Sequence, residues 1–183
     1  MFENDYTITG KHATYLKSLV RKNIKDDSDG PEKMLAPLFD RYIDVYMNAV
    51  IWGLLYSRTA ERDTSSGDRA RVYADAFANE RDNCVFLYRM TMLLDSTIDI
   101  TQEERFNRAF RYDTQEDKKE DFKENMELFN AYVRGGIEQM YEQFTDGCIS
   151  GDDYLLKTYE ILERFKSEIE GKLYEEDLAK LIK

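Results

Sequence analysis

Residues 39–56, FDRYIDVYMNAVIWGLLY, are the stretch that decides the fold class of this 183-residue chain. The first half of the stretch mixes polar and apolar residues, and the second half is apolar on every side of a helix. A helix that is apolar all round is buried all round. We therefore predict a buried central helix near residues 37–58, with Pro37 in its first turn, where proline is tolerated.

Further helices are predicted on both sides of this central helix, because apolar residues recur at steps of three and four. Their approximate bounds are 11–24, 69–95, a short helix from 101, then 115–145, 150–171 and 174–182. No segment alternates polar and apolar residues for long enough to predict a strand. The chain is therefore predicted to be all-α, a single domain over residues 1–183 built as a bundle of about seven helices, three or four of them long.

Three local signals support this segmentation. Thr101 with Glu104 predicts a capping box at the start of the short helix, and Ser150 with Asp153 predicts a cap for the helix after it. The pair at 135–136, two glycines inside the apolar pattern of the long helix 115–145, costs about 2 kcal/mol of helix propensity relative to alanine. We interpret the pair as a place where another helix packs closely or where the helix kinks.

Composition argues against several classes of protein. Aromatic residues make up 13% of the chain, which is too much for a solvated coil, and two distant cysteines do not form a disulfide framework. The N-terminal residues lack the basic and apolar regions of a signal peptide, and the longest apolar run, 49–56, is far shorter than a membrane span of about 20 residues. A cytoplasmic protein that does not enter a membrane is expected.

Sequence motifs for common chemistry are missing. His12 is the single histidine, so the paired Glu-x-x-His motifs of a di-metal helical bundle cannot form. No phosphate-binding glycine loop or nucleophile elbow is present. We interpret His12, in the first turn of the first helix, as an exposed surface residue. No metal and no cofactor is predicted. The missing motifs argue against an enzyme but do not decide the question.

A buried polar network is the remaining candidate for a site. Its predicted members are Arg41, Asp44, Asn48, Glu80 and Arg134. Glu80 lies among the apolar residues on one face of the predicted helix 69–95, and a buried carboxylate needs a partner. We expect Glu80 or Asp44 to meet an arginine, with Arg41, Arg81 and Arg134 as the candidates. We favour an ion pair that fixes the register of the helices, and a carboxylate-lined pocket that does acid-base chemistry is the functional alternative.

Charge is distributed unevenly along the chain. Residues 1–112 have a net charge of -2 and contain 11 arginines, whereas residues 113–183 have a net charge of -9 and contain two. Two basic groups in the first part could contact phosphate or carboxylate. The first helix contributes Lys17, Arg21 and Lys22, and the short helix contributes Arg105, Arg108 and Arg111 at steps of three.

Three functions are compatible with these observations. The first is a non-enzymatic helical interaction or accessory protein that docks a protein partner or associates with itself, as part of a larger complex or alone. The second is a nucleic-acid-directed module that contacts phosphate through the basic residues of its N-terminal part, or mimics nucleic acid through its acidic C-terminal part. The third is an enzyme or small-ligand binder, which would require the predicted polar network to line a concave pocket. The absence of catalytic motifs and the uneven distribution of charge along the chain favour the first of these, the interaction protein.

Overall fold

A computed structural model describes residues 1–20 and 38–172 of the chain, with the backbone alone over residues 168–172. Helices dominate the described residues, which confirms the all-α fold class. The elements in chain order are β1 Tyr6–Thr9, α1 Lys11–Leu19, α2 Tyr42–Leu55, β2 Arg69–Val72, α3 Ala74–Asn79, α4 Arg81–Leu94, α5 Gln102–Phe110, α6 Lys119–Thr145 and α7 Gly151–Lys172. The predicted helix at 174–182 lies outside this part of the chain.

The described residues group into two compact units. The larger one contains residues 1–20 and 38–142, from β1 to most of α6, and the smaller one contains residues 143–172, with α7. That all 183 residues form one domain stays a prediction.

The sheet was not predicted. β1 and β2 pair in antiparallel register, with Tyr6 opposite Val72 and Ile8 opposite Ala70. Ile8, Ala70 and Val72 are buried. Each strand has four residues, and so short an alternation is hard to recognise in a sequence.

The prediction of one long helix over 69–95 is therefore wrong at its start and in its middle. Its first four residues are β2, and the chain then forms α3 and α4 in place of one continuous helix. The break falls at Glu80, whose backbone dihedral angles, φ -107° and ψ 20°, lie outside the helical region. The spacing of apolar residues by three and four positions continues through the break, because Phe77 and Cys84 both face the core.

The start of α1 is built by a distant residue. Gly10 joins β1 to α1 with φ 64°, a conformation that favours glycine, and supplies no capping side chain. Asp63 caps the helix instead, since its carboxylate accepts the Lys11 N–H at 2.6 Å. The pKa of Asp63 is lowered to about 2, because the backbone N–H groups of Lys11 and Ser65 and the Ser65 hydroxyl stabilise its charged form.

The core of the larger unit is rich in aromatic side chains. α2 buries Ile43, Tyr46 and Ala49 among others, and Tyr46 meets Phe77 edge to face with ring centroids 5.2 Å apart. The helix is not buried all round, however, because the side chains of Ile51 and Leu55 are exposed. α2 therefore has more apolar side chains than its neighbours cover.

The glycine pair of α6 confirms close packing. α6 continues without interruption from Lys119 to Thr145. A Cβ atom on Gly136 would overlap the backbone of Ala49 in α2, and one on Gly135 would overlap the backbone of Arg58. A Cβ atom on Gly53 of α2 would likewise overlap the backbone of Tyr132. The glycines let the backbones of α2 and α6 approach where any side chain would hold them apart.

The predicted caps are present. The Thr101 hydroxyl accepts the Glu104 N–H at 3.1 Å at the start of α5. At the start of α7, the Ser150 hydroxyl accepts the Asp153 N–H and the Asp153 carboxylate accepts the Ser150 N–H, which is a reciprocal box.

Candidate functional site

The clearest candidate site is an apolar groove on the outer face of α4. It has a volume of about 530 Å³, and we call it the α4–α5 groove. Its lining residues are Asp82, Val85, Phe86, Arg89, Met90, Leu93, Leu94 and Phe110. The volume is in the range of ligand and peptide sites, and most of the wall is hydrocarbon.

The groove exists because α4 carries two apolar stripes. One of them, which includes Cys84, Leu87 and Tyr88, is buried in the core. The other stands beside it in solvent, and its Phe86 and Leu94 are 65% and 61% exposed. A helix that serves only the core of a protein has one apolar stripe and a polar opposite face. The second stripe therefore has no role in the described fold.

Arg89 is the polar group in the middle of the groove. Its guanidinium lies over the Phe110 ring, 5.2 Å from the centroid. In the part of the chain that the structure describes, Arg89 has no ion pair, and its Nε is buried without a hydrogen-bond partner. A carboxylate that entered the groove would supply the missing charge.

The predicted polar network divides into separate sets. Arg41 donates to the Asp44 carboxylate at 2.6 Å and to the Glu80 carboxylate at 2.9 Å, so the expected arginine partner is Arg41. Asn48 donates to the backbone carbonyl of Asp44. This set lies at the edge of the core and not within it, because the Arg41 side chain is 54% exposed and those of Asp44 and Glu80 are 22% and 19% exposed.

Arg134 lies elsewhere, under the loop that follows α2. It is buried, and it donates to Glu127 at 2.8 Å, to the Ala60 carbonyl at 2.8 Å and to the Tyr6 hydroxyl at 3.1 Å. A second cavity, of about 430 Å³, includes Arg134 and Glu127 in its wall but neither Asp44 nor Glu80. The two cavities thus provide no pocket in which the predicted network converges.

The predicted phosphate-binding residues are mostly engaged within the protein. Lys17 pairs with Asp68, and Arg105 donates to the backbone carbonyl of Asp95. Arg111 donates to Asn107 on its own helix. Arg21 and Lys22 lie outside the described residues.

Arg108 corrects the prediction of a basic stripe on α5. It is buried, donates to Asn125 at 2.8 Å and pairs with the fully buried Asp95 at 3.5 Å. The Tyr132 hydroxyl also donates to Asp95, at 2.9 Å. Hydrogen bonds from Thr97 and Tyr132 and the charge of Arg108 outweigh burial and keep the pKa of Asp95 below its ordinary value. Arg108 therefore ties α5 to α4 and α6 and is not available to a ligand.

His12 is buried and not exposed, which overturns its interpretation as a surface residue. Its Nε2 lies 2.9 Å from the Glu138 carboxylate, which also accepts from Lys11 and Arg58, each at 2.8 Å. Burial lowers the pKa of His12, although the bond to Glu138 opposes the shift. The Lys11, Arg58 and His12 contacts together lower the pKa of Glu138 against the effect of its own burial. This cluster fastens α1 to α6 and lines neither described cavity.

Two further observations concern metal binding and membrane-spanning helices. Over residues 1–20 and 38–172, no group of three or more histidine, cysteine and acidic side chains is arranged to hold a metal ion. In the same residues, no helix combines the length and the apolar character that crossing a bilayer demands.

Comparison with known proteins gives no relative. The chain matches no protein-family model, no curated protein and no solved structure.

The sequence contained a signal for the groove. Phe86, Met90 and Leu93 follow each other at steps of four and three, next to the seam that runs through Cys84 and Leu87. Two adjacent stripes on one helix indicate either burial on two sides or an unpaired face, and a sequence alone does not distinguish them.

Proposed function

We propose that this protein is a non-enzymatic helical interaction protein that binds an amphipathic helix of a protein partner in the α4–α5 groove. The observation that carries the proposal is the second apolar stripe of α4, centred on Phe86 and exposed to solvent. Large contiguous apolar patches on soluble proteins mark sites of interaction.

A helix is the ligand that suits the shape and length of the groove. The groove extends from Asp82 to Leu94 along the outer face of α4, which is about 18 Å at 1.5 Å per residue. An amphipathic helix with apolar residues at i, i+4 and i+7 presents a stripe of about 10 Å, which fits within this length. Burial of Phe86 and Leu94 against such a stripe would supply about 1.5–3 kcal/mol for each side chain.

Arg89 is expected to select the charge of the partner. It lies in the middle of the groove, seven residues from Asp82, the other charged lining residue, so there an unpaired basic partner side chain would be repelled and a carboxylate attracted. Docking would also desolvate Arg89, which makes a matching carboxylate more important than it would be at the rim.

The other two functions have less support. Of the residues predicted for a phosphate-binding surface, Lys17, Arg105 and Arg108 are engaged within the protein. An enzyme with a polar interior would need Asp44 and Glu80 in a cavity, and neither lines the two described.

The proposal is tested with a designed helical peptide of about 18 residues, or five turns. The peptide carries leucines at i, i+4 and i+7 and one glutamate within that stripe, and fluorescence anisotropy follows its titration with the full chain. We expect saturable binding that weakens at least about tenfold when the glutamate is replaced by lysine, since that replacement turns attraction to Arg89 into repulsion.

The matched variants are Phe86→Ser in the groove and Leu55→Ser on α2, because the two side chains are similarly exposed. Phe86→Ser is expected to abolish peptide binding, and Leu55→Ser is expected to leave it unchanged. Equal binding by both variants, or no binding by the unmodified chain, would show that the groove is not a helix-binding site.

A further inference from the structure

The smaller unit carries a helix with the chemistry that the groove requires. α7 exposes Leu155, Leu156, Tyr159 and Leu162, which we call the α7 stripe, and each of these side chains is about 60% exposed. They lie at successive steps of one, three and three, so they share one face of the helix. Like the second stripe of α4, this face consists of apolar side chains that other described residues do not cover.

Glu163 supplies the complementary charge. It lies four residues after Tyr159 and seven after Leu156, on the same face of α7. Among the described residues it is exposed and takes part in no ion pair or hydrogen bond. The chain therefore presents an unpaired carboxylate within one exposed apolar stripe and an unpaired guanidinium, that of Arg89, within another.

We infer that the partner helix is the α7 of a second copy of this chain, with the α7 stripe in the α4–α5 groove and Glu163 paired with Arg89. The inference rests on the proposed function and identifies its ligand. Because each copy has both a groove and a stripe, a two-fold axis would make the two contacts at once and close the assembly as a dimer. Two simultaneous contacts also hold the copies together more tightly than either contact alone.

The first test is the mass of the full chain in solution, measured by sedimentation velocity over a hundredfold range of concentration. We expect a reversible change from the 21.6 kDa monomer to twice that mass. Phe86→Glu in the groove and Tyr159→Glu on the α7 stripe should each give a monomer at concentrations where the unmodified chain is dimeric. Both residues are more than half exposed, so both variants should fold, as circular dichroism will verify.

Mixing the two monomeric variants provides the decisive result. The Phe86→Glu chain retains its α7 stripe and the Tyr159→Glu chain retains its groove, so an equimolar mixture can form one of the two contacts. We expect a heterodimer in the mixture, weaker than the unmodified dimer. A mixture that stays monomeric would overturn the inference, as would an unmodified chain that is monomeric throughout or that grows beyond a dimer.

A charge exchange tests the ion pair. Arg89→Glu and Glu163→Arg should each weaken the dimer at least about tenfold, as expected for like charges in a desolvated contact, and the double variant should recover most of the loss. Leu55→Glu, on another exposed apolar position, is the control that should leave the dimer intact. If the double variant is no better than the single ones, the two residues do not meet.

These results separate the inference from the proposed function. A monomeric chain that still binds the designed peptide through Phe86 would reject the second copy as the partner and retain the groove as a docking site. A chain that neither dimerises nor binds the peptide would reject both.

Discussion

His12 shows how one side chain changes its meaning when the fold is known. Its position in a first turn suggested exposure, yet it shares a helix face with Leu16 and Leu19, and all three are buried. The periodicity was the better guide, because His12 on this face meets Glu138 of α6 in a buried contact. The spacing of Leu16 and Leu19 indicates the buried face of α1, but the sequence did not identify the Glu138 partner of His12, 126 positions away.

The buried imidazole leads to a pH-dependent stability. Burial lowers the pKa of His12 in the folded protein relative to the unfolded chain, while Glu138 opposes the shift and Lys11 and Arg134 add to it. The unfolded state therefore binds the proton more readily, so stability is full above the unfolded pKa of about 6.5 and falls as the pH drops below it. We expect a slope of up to about 1.4 kcal/mol per pH unit, measured by urea unfolding between neutral pH and mildly acidic pH.

The single histidine makes this prediction easy to check. His12→Gln keeps a donor toward Glu138 and should flatten the slope in that range. Proton NMR of the one imidazole gives its folded pKa directly. An imidazole that titrates at or above the ordinary value of about 6.5 would contradict the prediction.

Arg108 and Arg111 make a matched pair on α5. Arg108 is buried against Asp95, whereas Arg111, directly after the last residue of α5, is exposed and its guanidinium donates to Asn107. Arg108→Ala should cost about 3–5 kcal/mol of unfolding free energy, because it leaves the Asp95 carboxylate buried without its cation. Arg111→Ala should cost about 0.5 kcal/mol or less. Equal losses in urea unfolding would show that Arg108 has no structural role.

At the scale of the elements, the contact between α2 and α6 depends on residues that have no side chain. Gly53 and Gly136 allow the two backbones to come within a distance that no Cβ atom could occupy. The sequence predicted close packing at the glycine pair, but the partner, Ala49 on α2, became known only when the helices were placed. Small residues on the helices determine where the two backbones meet, because a larger residue at these positions would not fit between them.

Substitution of these glycines separates propensity from packing. In a free helix Gly136→Ala would add about 1 kcal/mol of stability, but in α6 the new methyl group would overlap the Ala49 backbone. We expect a net loss of about 1–3 kcal/mol, measured by thermal or urea unfolding. Gly67→Ala is the control, since a Cβ atom there meets nothing within 4 Å, and it should change stability little. A stabilising Gly136→Ala would show that α2 and α6 are farther apart.

The sheet illustrates the limit of sequence patterns at this scale. The four residues of β2 fit a helix about as well as a strand when they are considered alone. Their pairing with β1, more than 60 positions earlier, decides between the two, because the paired strands satisfy each other's backbone groups and bury Ile8 and Val72. A pattern of one segment contains no information about its partner.

At the scale of the whole molecule, the stability should depend on protein concentration. A partner that binds the folded state stabilises it by mass action, and the proposed partner is the protein itself. The melting temperature is expected to rise by about 5 °C over a hundredfold increase in concentration. Differential scanning calorimetry provides the measurement, and the Phe86→Glu variant should melt at a constant temperature. A concentration-independent melting point for the unmodified chain would contradict the prediction.

The sequence by itself determined the fold class, most helix positions, the helix caps and the uneven charge, because these depend on spacing and composition along the chain. The tertiary structure decided which groups meet: Arg108 with Asp95, His12 with Glu138, and Gly136 with Ala49. It also decided which apolar faces stay uncovered, Phe86 on α4 and Tyr159 on α7. Exposure is a property of what surrounds a side chain, and only folding brings those surroundings together.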